Sequence, residues 1–107
     1  MTDLPTSKRL FALEKMAAGP KADTLTLYGL AMEYKSLGRA DDAERAFVTL
    51  RDRDPGYVPT YHQAGAMLLA AGRMDEGRAW VEQGIAKARE KGDTHALSEL
   101  EALLTPP

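Results

Sequence analysis

The chain writes one phrase twice. Leu37 to Val48 reads LGRADDAERAFV and Ala71 to Glu82 reads AGRMDEGRAWVE, which sets Gly38 and Gly72 34 residues apart. Both copies carry Gly-Arg, two acidic residues after one further position, a small residue and then a large apolar one. A phrase repeated at a fixed period of this size constrains the fold more than composition does. It calls for one supersecondary unit, stacked on a copy of itself so that each buries the other's apolar face.

Periodicity says what the unit is. Leu27, Leu30, Ala31 and Tyr34 fall at helical spacing, as do Ala43, Ala46, Phe47 and Leu50, with Leu37-Gly38 as the break between them. The pattern predicts a helix, a tight turn and a second helix. Asp23 or Thr24 is the expected N-cap of the first, and Asp41, Asp42 and Glu44 crowd the first turn of the second, where carboxylates oppose the positive end of the helix dipole. Pro55 ends the pair, because it cannot continue a helix and disfavours helical geometry at Asp54. The plan then recurs with Pro59 near the first turn, a stripe of Tyr61, Ala64, Gly65 and Leu68, the Gly72 break, and a second helix bearing Gly77, Val81, Ile85 and Ala88. Gly92 is the expected stop of that helix, Asp93 or Thr94 caps a last one carrying Leu97, Leu100, Leu103 and Leu104, and Leu10, Phe11, Leu13 and Ala17 point to a short helix at the start. Six helices are expected and no strand. The expected boundaries are 6–18, 24–57 for the first repeat, 58–91 for the second and 94–104, within a single domain over residues 1–107.

These residues resemble the tetratricopeptide repeat, a 34-residue helix-turn-helix unit with a sparse pattern. In the first copy Leu27 stands where the family often has Trp, Leu30 and Ala31 fill its Leu-Gly pair, and Tyr34, Ala43, Phe47 and Pro55 follow in place. In the second copy Tyr61, Ala64, Gly65 and Leu68 fit, while Gly77 replaces the usual Ala, Val81 the aromatic and Arg89 the closing Pro. The resemblance covers Asp23 to about Lys91 and is similar to small bacterial proteins with two such repeats and a flanking helix. It implies an all-α, right-handed solenoid of helical hairpins, two repeats with N- and C-terminal capping helices.

The resemblance also implies a function. In this family the first helices of successive repeats line a concave groove that holds a peptide or helix of another protein. The positions that carry over are Leu25, Tyr28, Met32, Lys35 and Ser36 from the first repeat, and Pro59, His62, Ala66, Leu69 and Ala70 from the second. Members that grip a C-terminal carboxylate place Lys and Asn at several of these sites; here only Lys35 qualifies, so an apolar peptide or amphipathic helix is the expected ligand. The N-terminal helix could instead fold over this groove and cover it.

Trp80 departs from the pattern. The family aromatic is expected where Val81 stands, and a shift of one residue turns the ring by about 100° around the helix. Gly77 and Gly84 share its stripe, an arrangement that invites close approach by another helix, either the last one through Leu97 or Leu100 or one from a second molecule. Trp80 is therefore a candidate interface anchor.

Other classes find little footing. A net charge of −2 gives no electrostatic footprint for nucleic acid or an anionic membrane, and the absence of cysteine removes disulfides, thiolate metal sites and a cysteine nucleophile. No apolar run approaches the roughly 18 residues that span a bilayer, and the opening MTDLPTSKRLFALEKM is a poor secretory signal, so a cytoplasmic location is expected. His62 and His95 are read as surface histidines without a ligand partner at helical spacing; RDRDPG is a solvated turn, GAMLLAAG follows no strand, and Ser7, Ser36 and Ser98 have no base and acid beside them. The expectation is a noncatalytic protein-binding adaptor without metal or cofactor. The alternative is a structural module that self-associates, as a homodimer, through Trp80, the groove or the last helix.

Overall fold

The computed structural model describes residues 3–106; Met1, Thr2 and Pro107, at the ends of the expected domain, lie outside the described residues. Six helices follow one another and no strand occurs among the described residues: α1 (Lys8–Ala17), α2 (Thr24–Ser36), α3 (Ala40–Arg53), α4 (Pro59–Ala70), α5 (Met74–Lys91) and α6 (Thr94–Leu104). They divide into two units, Met1–Pro55 with α1 to α3 and Gly56–Pro107 with α4 to α6.

In the first unit α1 and α2 start where the sequence supplies an acceptor. Ser7 Oγ accepts the Leu10 N–H at 2.9 Å, and Asp23 Oδ1 accepts the Thr26 N–H at 2.8 Å, each satisfying one of the amides that the first turn leaves unpaired. The hairpin of α2 and α3 closes over Leu27, Ala31, Ala43, Phe47 and Leu50, all buried. Phe47, fully removed from water, contributes on the order of 2–3 kcal/mol. A side-chain bond ties the hairpin's open end, where the Thr24 hydroxyl donates to Asp54 Oδ2 at 2.8 Å. Helix α1 packs on α2, placing Leu10 in the interior.

The repeated phrase forms the turn of each hairpin. Gly38 has φ 73° and Gly72 φ 81°, the left-handed conformation in which glycine meets no Cβ penalty. The next amide then reaches back to close the helix: Arg39 N–H donates to Tyr34 O and Arg73 N–H to Leu68 O, both at 2.9 Å. The two arginines also bond forward. Arg39 Nε donates to Asp42 Oδ2 at 2.9 Å, and Arg73 Nε to Glu76 Oε1 at 3.1 Å. Gly-Arg with an acidic residue three places on thus joins a helix stop to an arginine–carboxylate bond across the first turn of the next helix, and it recurs 34 residues later.

In the second unit Pro59 takes the first position of α4, where its missing N–H costs nothing. Helices α4 and α5 approach closely because glycines line the contact: a β-carbon on Gly77 would stand 2.9 Å from the Leu69 backbone nitrogen, and one on Gly65 2.5 Å from Val81 Cγ2. Tyr61, Ala64, Leu68, Trp80, Val81, Ala88 and Leu100 form the buried interior. Gly92, at φ 67°, stops α5, and Asp93 Oδ1 caps α6 by accepting the Ala96 N–H at 3.0 Å. None of the described helices is long and apolar enough to cross a membrane.

Candidate partner-binding site

On α2 the expected binding positions form one stripe, and α1 packs on the helix from Gly29, at the edge of that stripe, round to Tyr34. Leu13 meets Gly29, whose β-carbon would stand 3.4 Å from Leu13 Cδ2. The Ser7 hydroxyl donates to Glu33 Oε2 at 2.7 Å, and Arg9 lies 3.5 Å from the same carboxylate. Tyr34 donates its hydroxyl to Glu14 Oε2 at 2.7 Å. At 100° per residue, Glu33 and Tyr34 lie roughly a third of a turn or more from the centre of the Leu25, Tyr28, Met32 and Lys35 stripe, while Gly29 lies about 80° from it, next to Leu25. Leu25 is 70% exposed, and Tyr28, Met32 and Lys35 are half-buried.

The ring of Tyr34 is also an electrostatic junction. The Arg39 guanidinium lies over it at 4.9 Å from the centroid, and burial together with the bond to Glu14 pushes the phenol pKa up to about 12. Burial acts to raise Asp42 as well, but hydrogen bonds from Arg45 and Arg39 outweigh it and hold the carboxyl below its usual range. Asp23 is held low by the Thr26 amide that it caps. These shifts belong to helix ends and packing.

On α4, His62, Ala66 and Leu69 are half-buried. Leu69 is engaged within its own hairpin, for its Cγ would stand 2.8 Å from a β-carbon on Gly77. Beside His62 the second unit opens a cleft of about 290 Å³ between the start of α4 and α6. Val58, Pro59, Ala96 and Leu100 supply its apolar wall, with Val58 and Leu100 closing the bottom. Gln63, Asp93, His95 and Glu99 join His62 at the polar rim. Sequence reasoning found His62 and Pro59 but missed the α6 side, although His95 and Glu99 carried a signal: they stand four apart, one turn of helix. The reading of His95 as lacking a partner at helical spacing is thereby corrected, since its Nε2 lies 3.1 Å from Glu99 Oε1. Among the described residues no cluster of three or more His, Asp and Glu is placed to hold a metal ion.

Trp80 is only 5% exposed, and its ring packs against Tyr61 on α4, 6.1 Å between centroids and tilted by 54°. Its aromatic partner thus stands on the first helix of its own repeat. The glycines on its stripe receive α4 and α6: Gly77 faces Leu69, and Gly84 faces Tyr61 and Leu100. By contrast Phe11 and Met16, on α1, stand 62% and 57% exposed. The helical spacing of Phe11 marked the helix correctly without telling which of its residues point outward.

No family model matches the chain. It is 33% identical to a TPR repeat-containing protein of Pseudomonas aeruginosa over 92 residues, which make up 86% of this chain and 88% of that protein. Among solved structures, a tetratricopeptide repeat domain protein of Salinibacter ruber superposes with a TM-score of 0.71 at 37% identity, over 78% of this chain and 84% of that one. A protein of Bordetella parapertussis superposes with a TM-score of 0.78 at 26% identity, over 92% of this chain and 86% of that one.

Proposed function

Since the chain belongs to the tetratricopeptide repeat family, we propose that it is a noncatalytic adaptor that holds a peptide or amphipathic helix of another protein on the faces of its first repeat helices. On α2 those faces offer Leu25, Tyr28, Met32 and Lys35, and on α4 they offer His62, Ala66 and Leu69. The observation that carries the reading is the cleft beside His62, an apolar hollow with a polar rim on the first helix of a repeat. A partner inserts an apolar group there while its backbone and polar side chains bond to the rim.

The test is affinity capture from the native cell extract with the wild type and a Met32→Lys, Ala66→Glu variant of equal melting temperature. Ala66 is altered rather than Leu69 because Leu69 packs on Gly77 and its loss would disturb the hairpin. A protein retained by the wild type and lost from the variant supports the adaptor. Recovery of the chain itself by both supports self-association, the second reading, which the exposed Phe11 and Met16 on α1 favour.

A further inference from the structure

We propose that the cleft between α4 and α6 receives the side chain of a lysine or arginine from the bound segment, an inference that rests on the adaptor reading above. Charge carries it. The rim holds the carboxylates of Asp93 and Glu99, and neither Lys nor Arg is among the residues that line the cleft. The first turns of α4 and α6 oppose this, each bringing about half a positive charge at its N-terminus. Two full negative charges exceed the sum of the two ends. At α6 the positive end is moreover already met by Asp93, whose Oδ1 accepts the Ala96 amide. A carboxylate ligand would face Glu99, whereas a cation gains from it.

Shape agrees with charge. Lysine and arginine carry an aliphatic stem behind the cationic head, and such stems lie along apolar surface while the head stays among polar groups. In the cleft the stem meets Val58, Ala96 and Leu100, and the head arrives at the rim beside Glu99. Glu99 is 52% exposed, with His95 Nε2 3.1 Å from its carboxylate, so the carboxylate is reachable from solvent. An uncharged aliphatic side chain would fill the same hollow without using either carboxylate.

The experiment is display selection of short random peptides on the wild type, Glu99→Gln and Glu99→Lys, each first matched to the wild type by its melting curve. The wild-type pool is expected to fix lysine or arginine at one position. Its best peptide is expected to bind Glu99→Gln about fivefold more weakly, the loss that one solvent-screened charge at contact distance produces. The Glu99→Lys pool is expected to lose the basic position. Peptides recovered without a fixed basic residue, or equal affinity for wild type and Glu99→Gln, overturn the assignment of the cleft and leave the adaptor standing. Recovery of no peptide by the wild type overturns both.

Discussion

Tyr61 occupies the space that a side chain at Gly84 would need: a β-carbon on residue 84 would stand 2.5 Å from that of Tyr61. Gly84 is therefore a packing residue in the interior of α5, where on helix propensity alone it is unfavourable by about 1 kcal/mol relative to alanine. Gly84→Ala is expected to destabilise the protein by about 2–3 kcal/mol despite that propensity gain, because the obstructing atom belongs to the stem of a buried ring. Gly29→Ala makes the contrast. Its nearest neighbour is a terminal methyl of Leu13 at 3.4 Å, an ordinary contact, so it is expected to raise stability by about 0.5–1 kcal/mol. Urea melts of the two variants check the pair, and a loss of equal size in both contradicts the packing account.

Trp80 is the chain's one tryptophan, and it is buried against Tyr61. Trp80→Ala is expected to cost about 3–5 kcal/mol, the range for emptying a large aromatic site, and Trp80→Phe clearly less. Chemical denaturation followed by circular dichroism measures both. An unchanged midpoint with an altered oligomer size would instead make the ring an intermolecular anchor.

Acid is expected to weaken the protein through Asp42 and Asp23. Both carboxyls are held below 3.8, their ordinary value, so the ionised forms favour the folded state. That stability is complete above the unfolded value and is lost as pH falls through the folded ones, in a window beginning near pH 4. Asp42→Asn is expected to cost about 1 kcal/mol at neutral pH, as for a partly exposed ion pair, and to flatten the fall of melting temperature below pH 4. An acid limb as steep as that of the wild type contradicts the assignment.

Tyr34 contributes on the alkaline side with the opposite sign. Its pKa is raised from 10 to about 12, so the neutral phenol favours folding. The contribution is whole below pH 10 and disappears as pH rises toward 12. Ultraviolet titration of phenolate absorbance, wild type against Tyr34→Phe, is expected to show the late-titrating phenol vanish in the variant. If the latest-titrating phenol persists in Tyr34→Phe, it belongs to another tyrosine.

Much of this fold was legible before any coordinates. The Gly-Arg phrase marked both hairpin turns because it carries its own chemistry: a positive-φ residue, a back-reaching amide and an arginine that bonds to Asp42 or Glu76 three residues on. Asp23, Pro59, Gly92 and Asp93 marked helix ends for similarly local reasons. The α4–α6 cleft was not legible as a whole, since His62 and Glu99 come together only through tertiary packing. The partner of Trp80 was hidden too: spacing put it on a glycine stripe and pointed to Leu97, Leu100 or a second molecule, whereas Tyr61 reaches the ring only through the folding of the hairpin. Which residues on the α2 and α4 stripes touch a partner is a matter of the partner's own shape, and no local pattern encodes it.

The adaptor account is tested most directly by titrating a captured partner segment, by calorimetry, into the wild type and the Met32→Lys, Ala66→Glu variant. The account predicts saturable one-to-one binding to the wild type and at least about a tenfold loss in the variant, roughly 1.4 kcal/mol or more. Equal affinity for the two proteins would contradict it, because the segment would then not lie along the α2 and α4 stripes that Met32 and Ala66 mark.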